Sequence, residues 1–247
     1  MTSILILIVF VGIAIPFILR ATQNAKEEIE IQRLIREEKR AYLLGKFDPA
    51  LREDFIKVPL QYTVINLDMY LRKEIFKAFV EMRTEALKDK IILNIASATR
   101  NFDYQKIIWE KKWNGLTLVD GKKLSESIPD GTERFRKILE YSAAPGTSRH
   151  HWGTDIDING ADPVYFNSVK GKKEYAWLVK NAQSFGFCQP YNSKEAGREN
   201  GYNEEKWHWS YIPVAGELLR EYVELITKED IVGFAGDTYV KNFDLRS

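Results

Sequence analysis

Histidine is scarce in this chain: 247 residues contain three of them, and a single cysteine. One cysteine excludes an intramolecular disulfide. Cys188 lies in the apolar context Phe185-Gly186-Phe187-Cys188 and is expected to be a buried, inert thiol. Charge of one sign is also lacking, since 36 Lys+Arg against 35 Asp+Glu leave a net +1. With no long basic patch, nothing argues for a nucleic-acid partner. The H-E-x-x-H helix of common zinc proteases is missing. Internal repeats and low-complexity segments are missing too, which excludes solenoids and arrays. What remains, 45% hydrophobic and 29% charged residues, describes a globular body with a sizeable core.

The three histidines fall into two short motifs. One is Ser148-Arg149-His150-His151-Trp152-Gly153-Thr154-Asp155-Ile156-Asp157, and the other is Glu205-Lys206-Trp207-His208-Trp209. Two imidazoles, a carboxylate at H-x6-D spacing and a Glu three residues before the last His are the parts of a catalytic zinc site. Such a site takes three protein ligands and leaves a fourth position for water. His150 and Asp157 are too far apart for one helical turn. Gly153 predicts a turn between them, and residues 154–158 alternate as a half-buried strand does. Asp155 and Asp157 then share one face, with Ile156 and Ile158 on the other. Residues 207–212 also read as a strand, with His208 opposite Trp207 and Trp209. Taken singly, these signals have plainer readings. H-x6-D recurs by chance, W-H-W also suits core packing, and His151 suits a neighbour of the site or a surface residue.

Taken together, the motifs resemble the D-alanyl-D-alanine carboxypeptidase family of zinc peptidases. This is the VanY-type branch of the group that also contains lysostaphin-like enzymes and the hedgehog domain. The family's pattern is S-x-H-x-x-G-x-A-x-D, followed later by E-x-x-H with Trp before the His. Ser148, His150, Gly153 and Asp157 match the first part, and Glu205, Trp207 and His208 the second. Asp155 departs from the pattern, standing where the family usually has Ala, and places an extra negative charge on the metal face of the strand. Residues 97–105 resemble the family's S-x-x-R segment with Gln five residues after Arg. The resemblance spans roughly residues 60–225. It implies that His150, Asp157 and His208 bind Zn2+ and that Glu205 is the general base. It further implies that Arg100 neutralises charge on the substrate or the oxyanion, and that Gln105 and Ser148 hydrogen-bond the substrate. The activity implied is a metallocarboxypeptidase that removes C-terminal D-alanine from peptidoglycan stem peptides. A peptidoglycan endopeptidase and an L,D-carboxypeptidase share the same centre. A non-catalytic zinc-containing binding module is the alternative of another class.

The rest of the chain supplies the frame. Residues 4–19 form an apolar run, short for a membrane span and suited to a signal peptide or an N-terminal anchor. An exported, extracytoplasmic location is therefore expected, with membrane contact through this segment only. Residues 26–42 read as a charged amphipathic helix with a stripe of Ile31, Leu34 and Ile35, ended by Gly45. The expected organisation is a leader over 1–25, a stalk and linker over 26–59 and a zinc peptidase domain over 60–247. Within that domain the periodicity predicts helices near 69–89, 102–113, 132–141, 174–185 and 214–226. It also predicts a buried strand over 91–95, a turn at Ala144-Pro145-Gly146 and loops over 116–130 and 192–203. Helices flanking separated short strands indicate an α+β fold. The resemblance adds that a small antiparallel sheet carries the zinc site, with helices packed outside.

Overall fold

A computed structural model describes residues 2–198 and 201–245, with side chains from Gln23 onward except that of Ala196. The chain divides into two units, Met1–Arg40 and Ala41–Ser247. Helix α1 (Thr2–Leu43) makes up the first and runs three residues into the second. The side chains of the apolar run 4–19 lie outside the described residues. Among those described, no helix is long and apolar enough to cross a membrane. Further along α1, Arg33 is paired with Glu30 and Glu37 one turn away on either side, while Ile31, Leu34 and Ile35 are exposed. The predicted stripe therefore exists as geometry, with its apolar face open.

Ala41–Ser247 begins with the end of α1. Gly45 stops the helix at φ 74° beneath the His151 ring, where a Cβ would lie 2.6 Å from Cγ. Next come β1 (Phe55–Lys57), β2 (Tyr70–Arg72), α2 (Lys73–Lys88) and β3 (Ile95–Ser97). Helices α3 (Phe102–Trp113), α4 (Leu124–Ser127) and α5 (Gly131–Leu139) follow. Then come β4 (Asp155–Ile158), α6 (Pro163–Asn167), α7 (Val169–Asn181), β5 (Phe187–Cys188), β6 (His208–Tyr211) and α8 (Ile212–Leu225). β1 and β2 form an antiparallel hairpin-like pair. The other four strands form an antiparallel sheet in the order β3-β4-β6-β5. This is the expected α+β fold with a small antiparallel sheet.

The body has two apolar cores, one of which includes residues of that sheet. On one side Ile75, Phe79, Met82 and Ala86 of α2 recur at helical spacing and bury against Ile95, Ile156, Ile158 and Trp209. Full burial of a side chain the size of Phe79 contributes about 1.5–3 kcal/mol. The second core gathers Leu43, Phe55, Trp109, Phe135, Trp152 and Phe234. It is tied to the end of α1 by two bonds: Trp152 Nε1 donates to the Leu43 carbonyl at 3.0 Å, and the Tyr42 hydroxyl to the Trp152 carbonyl at 2.6 Å.

Several sequence expectations shift. The helix expected from 69 starts at Lys73, because Tyr70–Arg72 pairs with β1. The strand expected over 91–95 begins where its ladder does, at Ile95 opposite Ile158. The expected loop over 116–130 contains the short α4. β4 is buried at all four residues rather than on one face, because its acidic side is covered as fully as its apolar side. Cys188 is half-buried, and burial pushes its thiol pKa up.

Candidate metal centre and substrate pocket

Strand register builds the centre. In the β4–β6 pair, Asp157 lies opposite His208 and Asp155 opposite Ser210. Residues facing each other across two strands project to the same side. This side of the sheet therefore carries two carboxylates, one imidazole and one hydroxyl. His150 comes from the 3-10 turn Arg149–Trp152, which ends at Gly153 with φ 69°. Only glycine suits that position, since a Cβ would lie 2.5 Å from the Phe55 ring. The turn carries the chain from His150 into β4.

His150, Asp157 and His208 each offer a ligand atom, and these atoms lie within 4.8 Å of one another in a buried cluster. His150 Nδ1 donates to the Ala98 carbonyl at 2.8 Å, which leaves Nε2 bare. That Nε2 faces Asp157 Oδ1 at 3.3 Å, and neither atom has a hydrogen-bond partner. Two bare acceptors this close and this buried are costly unless a cation joins them. His208 presents Nδ1 to the same place, 3.9 Å from Asp157 Oδ1 and 3.0 Å from Glu205 Oε2. Its Nε2 is held by Asp155 Oδ2 at 2.8 Å. Two nitrogens and one carboxylate oxygen form a donor set that suits zinc.

The electrostatics of the cluster follow from its burial and from the charges around it. Burial holds His150 below the usual imidazole range, reinforced by the Arg100 guanidinium. Burial would raise Asp157, but His150, Arg100 and His208 outweigh it and hold the carboxyl at about 2. Burial would lower His208, yet its bonds to Asp155 and Glu205 raise it to about 9. Asp155 is driven well below the carboxylate range despite its burial, by Arg149 and then by His208.

A cavity of about 190 Å³ opens beside the cluster and brings together the residues the sequence singled out. Arg100, Gln105, Ser148, His150, Asp157, Glu205 and His208 all line it. Arg100 follows β3, and its Nε is buried without a hydrogen bond. Gln105, on α3, donates from Nε2 to the Ala143 carbonyl at 2.8 Å and leaves Oε1 unpaired. His151 is not a surface residue. Its Nε2 accepts from the Gly146 amide at 3.0 Å, and its Nδ1 bonds the Arg100 carbonyl. It thus fastens the Arg100 segment to the histidine turn as a neutral imidazole, pushed by burial to about 3.

Sequence reasoning missed Lys112 and Ser142. Both line the cavity, and the Lys112 ammonium donates to the Ser142 hydroxyl. Burial, then repulsion from Arg100, lowers the ammonium to about 8. Helical period would have found it: Gln105, Ile108 and Lys112 follow i, i+3, i+7 along α3, and all three line the cavity. Tyr191 and Tyr202 complete the wall, with the Tyr191 ring edge-on to His208 at 5.0 Å.

The family description VanY, D-alanyl-D-alanine carboxypeptidase, matches residues 68–214. The chain belongs to this family. A D-alanyl-D-alanine carboxypeptidase of Enterococcus faecalis is 36% identical over 151 residues, covering 56% of this chain and 50% of that one. One of Enterococcus faecium is 22% identical over 191 residues, covering 72% and 52%. The chain thus spans about half the length of these curated relatives. The solved structure of the LdcB LD-carboxypeptidase superposes with a TM-score of 0.52 at 20% identity, over 81% of each chain. That likeness shows a shared fold.

Proposed function

We propose that this chain is a zinc-dependent peptidase acting on peptidoglycan stem peptides, a carboxypeptidase that removes C-terminal D-alanine. The observation that carries the reading is one cavity joining two chemistries. On one wall His150 Nε2 and Asp157 Oδ1 are bare and buried beside His208; on another stand the cations Arg100 and Lys112. His150, Asp157 and His208 would hold the metal through Nε2, Oδ1 and Nδ1. Zinc, when bound, supplies Lewis acidity that polarises a carbonyl and activates water. Glu205 sits on the metal side of His208, where its carboxylate takes the proton of the attacking water and returns it to the leaving amine. Arg100 meets the terminal carboxylate with its planar fork, and the unpaired Gln105 oxygen accepts from the substrate amide. Ser148 lines the same wall and offers a hydroxyl. Bringing a carboxylate into a cleft is costly unless charge and hydrogen bonds meet it, and these residues supply both.

Family membership supports the substrate class. The name of these relatives, D-alanyl-D-alanine carboxypeptidase, supports the terminal D-alanine. The LD-carboxypeptidase likeness keeps the L,D-specific variant as the second reading. A binding module has no need for a carboxylate where Glu205 stands. The apolar run 4–19 supports work outside the cytoplasm, on a leader or anchor. Mass spectrometry of muropeptides digested by the protein tests the reading. Loss of one terminal alanine is expected; two fragments would mark an endopeptidase, and unchanged muropeptides a non-catalytic module.

A further inference from the structure

Asp155, the departure from the family's pattern, makes no contact that puts it at the metal position. It is completely buried, and both of its oxygens are occupied. Oδ1 accepts from the Thr154 hydroxyl at 2.7 Å and the Ser210 hydroxyl at 2.8 Å. Oδ2 accepts from Arg149 Nε at 2.9 Å and faces His208 Nε2 at 2.8 Å. Arg149 Nη2 also reaches the Ser210 hydroxyl at 2.5 Å, closing the cluster. A carboxylate with four partners has no lone pair directed at water. It also stands on the Nε2 edge of the ring, whereas Glu205 stands on the Nδ1 edge.

We propose that Asp155 is a positioning residue that fixes which nitrogen of His208 faces the metal. Its bond to Nε2 keeps a proton there, so Nδ1 is the free donor and the ring cannot turn over. A carboxylate on the far N–H of a metal-binding imidazole sets the tautomer and raises the basicity of the ligand nitrogen. Arg149 gives the carboxylate a second task. It precedes His150 in the chain, so the same anion grips both the turn carrying one histidine and the ring of the other. Thr154, just before β4, and Ser210, the facing residue of β6, fix the carboxylate's rotation.

This inference rests on the zinc reading above, and its test separates the two. Zinc ion is titrated into the full chain against a competing chelator, for the wild type, Asp155→Ala and Asp155→Asn. Imidazole ¹⁵N spectra of the zinc-loaded proteins report the tautomer, and with three histidines each ring is assignable. Asp155→Ala is expected to weaken zinc binding about 10–100-fold. The His208 Nε2–H resonance should lose its hydrogen-bonded shift while those of His150 and His151 stay in place. Asp155→Asn, which keeps an acceptor without the charge, should show a smaller loss in the same direction. The alanine variant leaves Arg149 buried without its carboxylate, so if it does not fold, the isosteric asparagine carries the test. Wild-type affinity and unchanged His208 resonances in the folded variants overturn the positioning role alone. A wild type that binds no zinc overturns both the role and the zinc reading.

Discussion

The two walls of the pocket are held to different degrees. On the sheet wall each imidazole is fixed by its second nitrogen, His150 by the Ala98 carbonyl and His208 by Asp155. On the helix wall, Arg100 Nε and Gln105 Oε1 are buried without partners, and the Lys112 ammonium is bonded to a single hydroxyl. The wall to which we assign the chemistry is pre-organised, as catalytic groups must be. The other leaves polar groups open, which suits a surface that waits for a ligand's charge. The comparison also separates the kinds of damage each wall should suffer.

The largest effect is expected on the sheet wall. Glu205→Gln keeps the shape of the side chain and the three metal-facing atoms, so zinc content should stay near one per chain. Turnover should fall by roughly 10²–10⁴-fold, the usual worth of general acid-base help. Metal analysis alongside kcat checks this. Normal turnover would assign the proton transfer to another group.

The same wall should write itself into stability. In the metal-free protein His208 is raised from 6.5 to about 9. The folded state therefore binds a proton that the unfolded chain releases between those values. That contribution is complete below pH 6.5 and is lost as pH rises through 9, on the order of 3 kcal/mol. His151, held at about 3, works in the opposite sense. The unfolded chain takes up its proton first, so stability also declines as pH falls below 6.5. Denaturant melts of the metal-free protein should accordingly show a maximum near neutrality. Saturation with zinc should remove the alkaline decline, because no proton then remains on His208 Nδ1. A flat profile from pH 6.5 to 9 would contradict the paired-carboxylate account of His208.

Smaller effects belong to the helix wall. Arg100→Lys retains charge but loses the fork, and Lys112→Met retains length but loses charge. Each is expected to lower kcat/KM by about tenfold, the scale of one charged hydrogen bond. Zinc affinity should not change in either, since neither residue holds a metal-facing atom. A loss of bound zinc in Lys112→Met would break the division between the walls.

The same division explains what was legible in the sequence. The sheet wall lies in two continuous motifs, so His150, Asp157, Glu205 and His208 could be read directly, along with the strands that carry the last of them. The direction of the Asp155 carboxylate could not be read. It depends on Ser210 standing opposite in β6 and on Arg149 folding back, which are facts of register and turn. The helix wall is assembled from Arg100 after β3, from α3 and from the segment around Ser142, which is far from both in sequence. Lys112 was within reach through its helical spacing from Gln105, whereas Ser142 carries no local signal. Helix α3 was readable to the residue, since Asn101 caps it by accepting from the Tyr104 amide at 2.9 Å. Strands β2 and β3 were not, because three-residue strands exist only by virtue of the partners they pair with.

The central claim is that a metal wall and a carboxylate-receiving wall share one cavity, and one comparison tests it most directly. A stem peptide ending in D-alanyl-D-alanine is offered to the wild-type protein as the free acid and as the C-terminal amide, and kcat/KM is measured for both. The free acid should be cleaved at least about tenfold faster, because the amide cannot meet the charge of Arg100 and Lys112. Equal rates would contradict the account, leaving the helix wall without the role assigned to it and making the endopeptidase reading the better one.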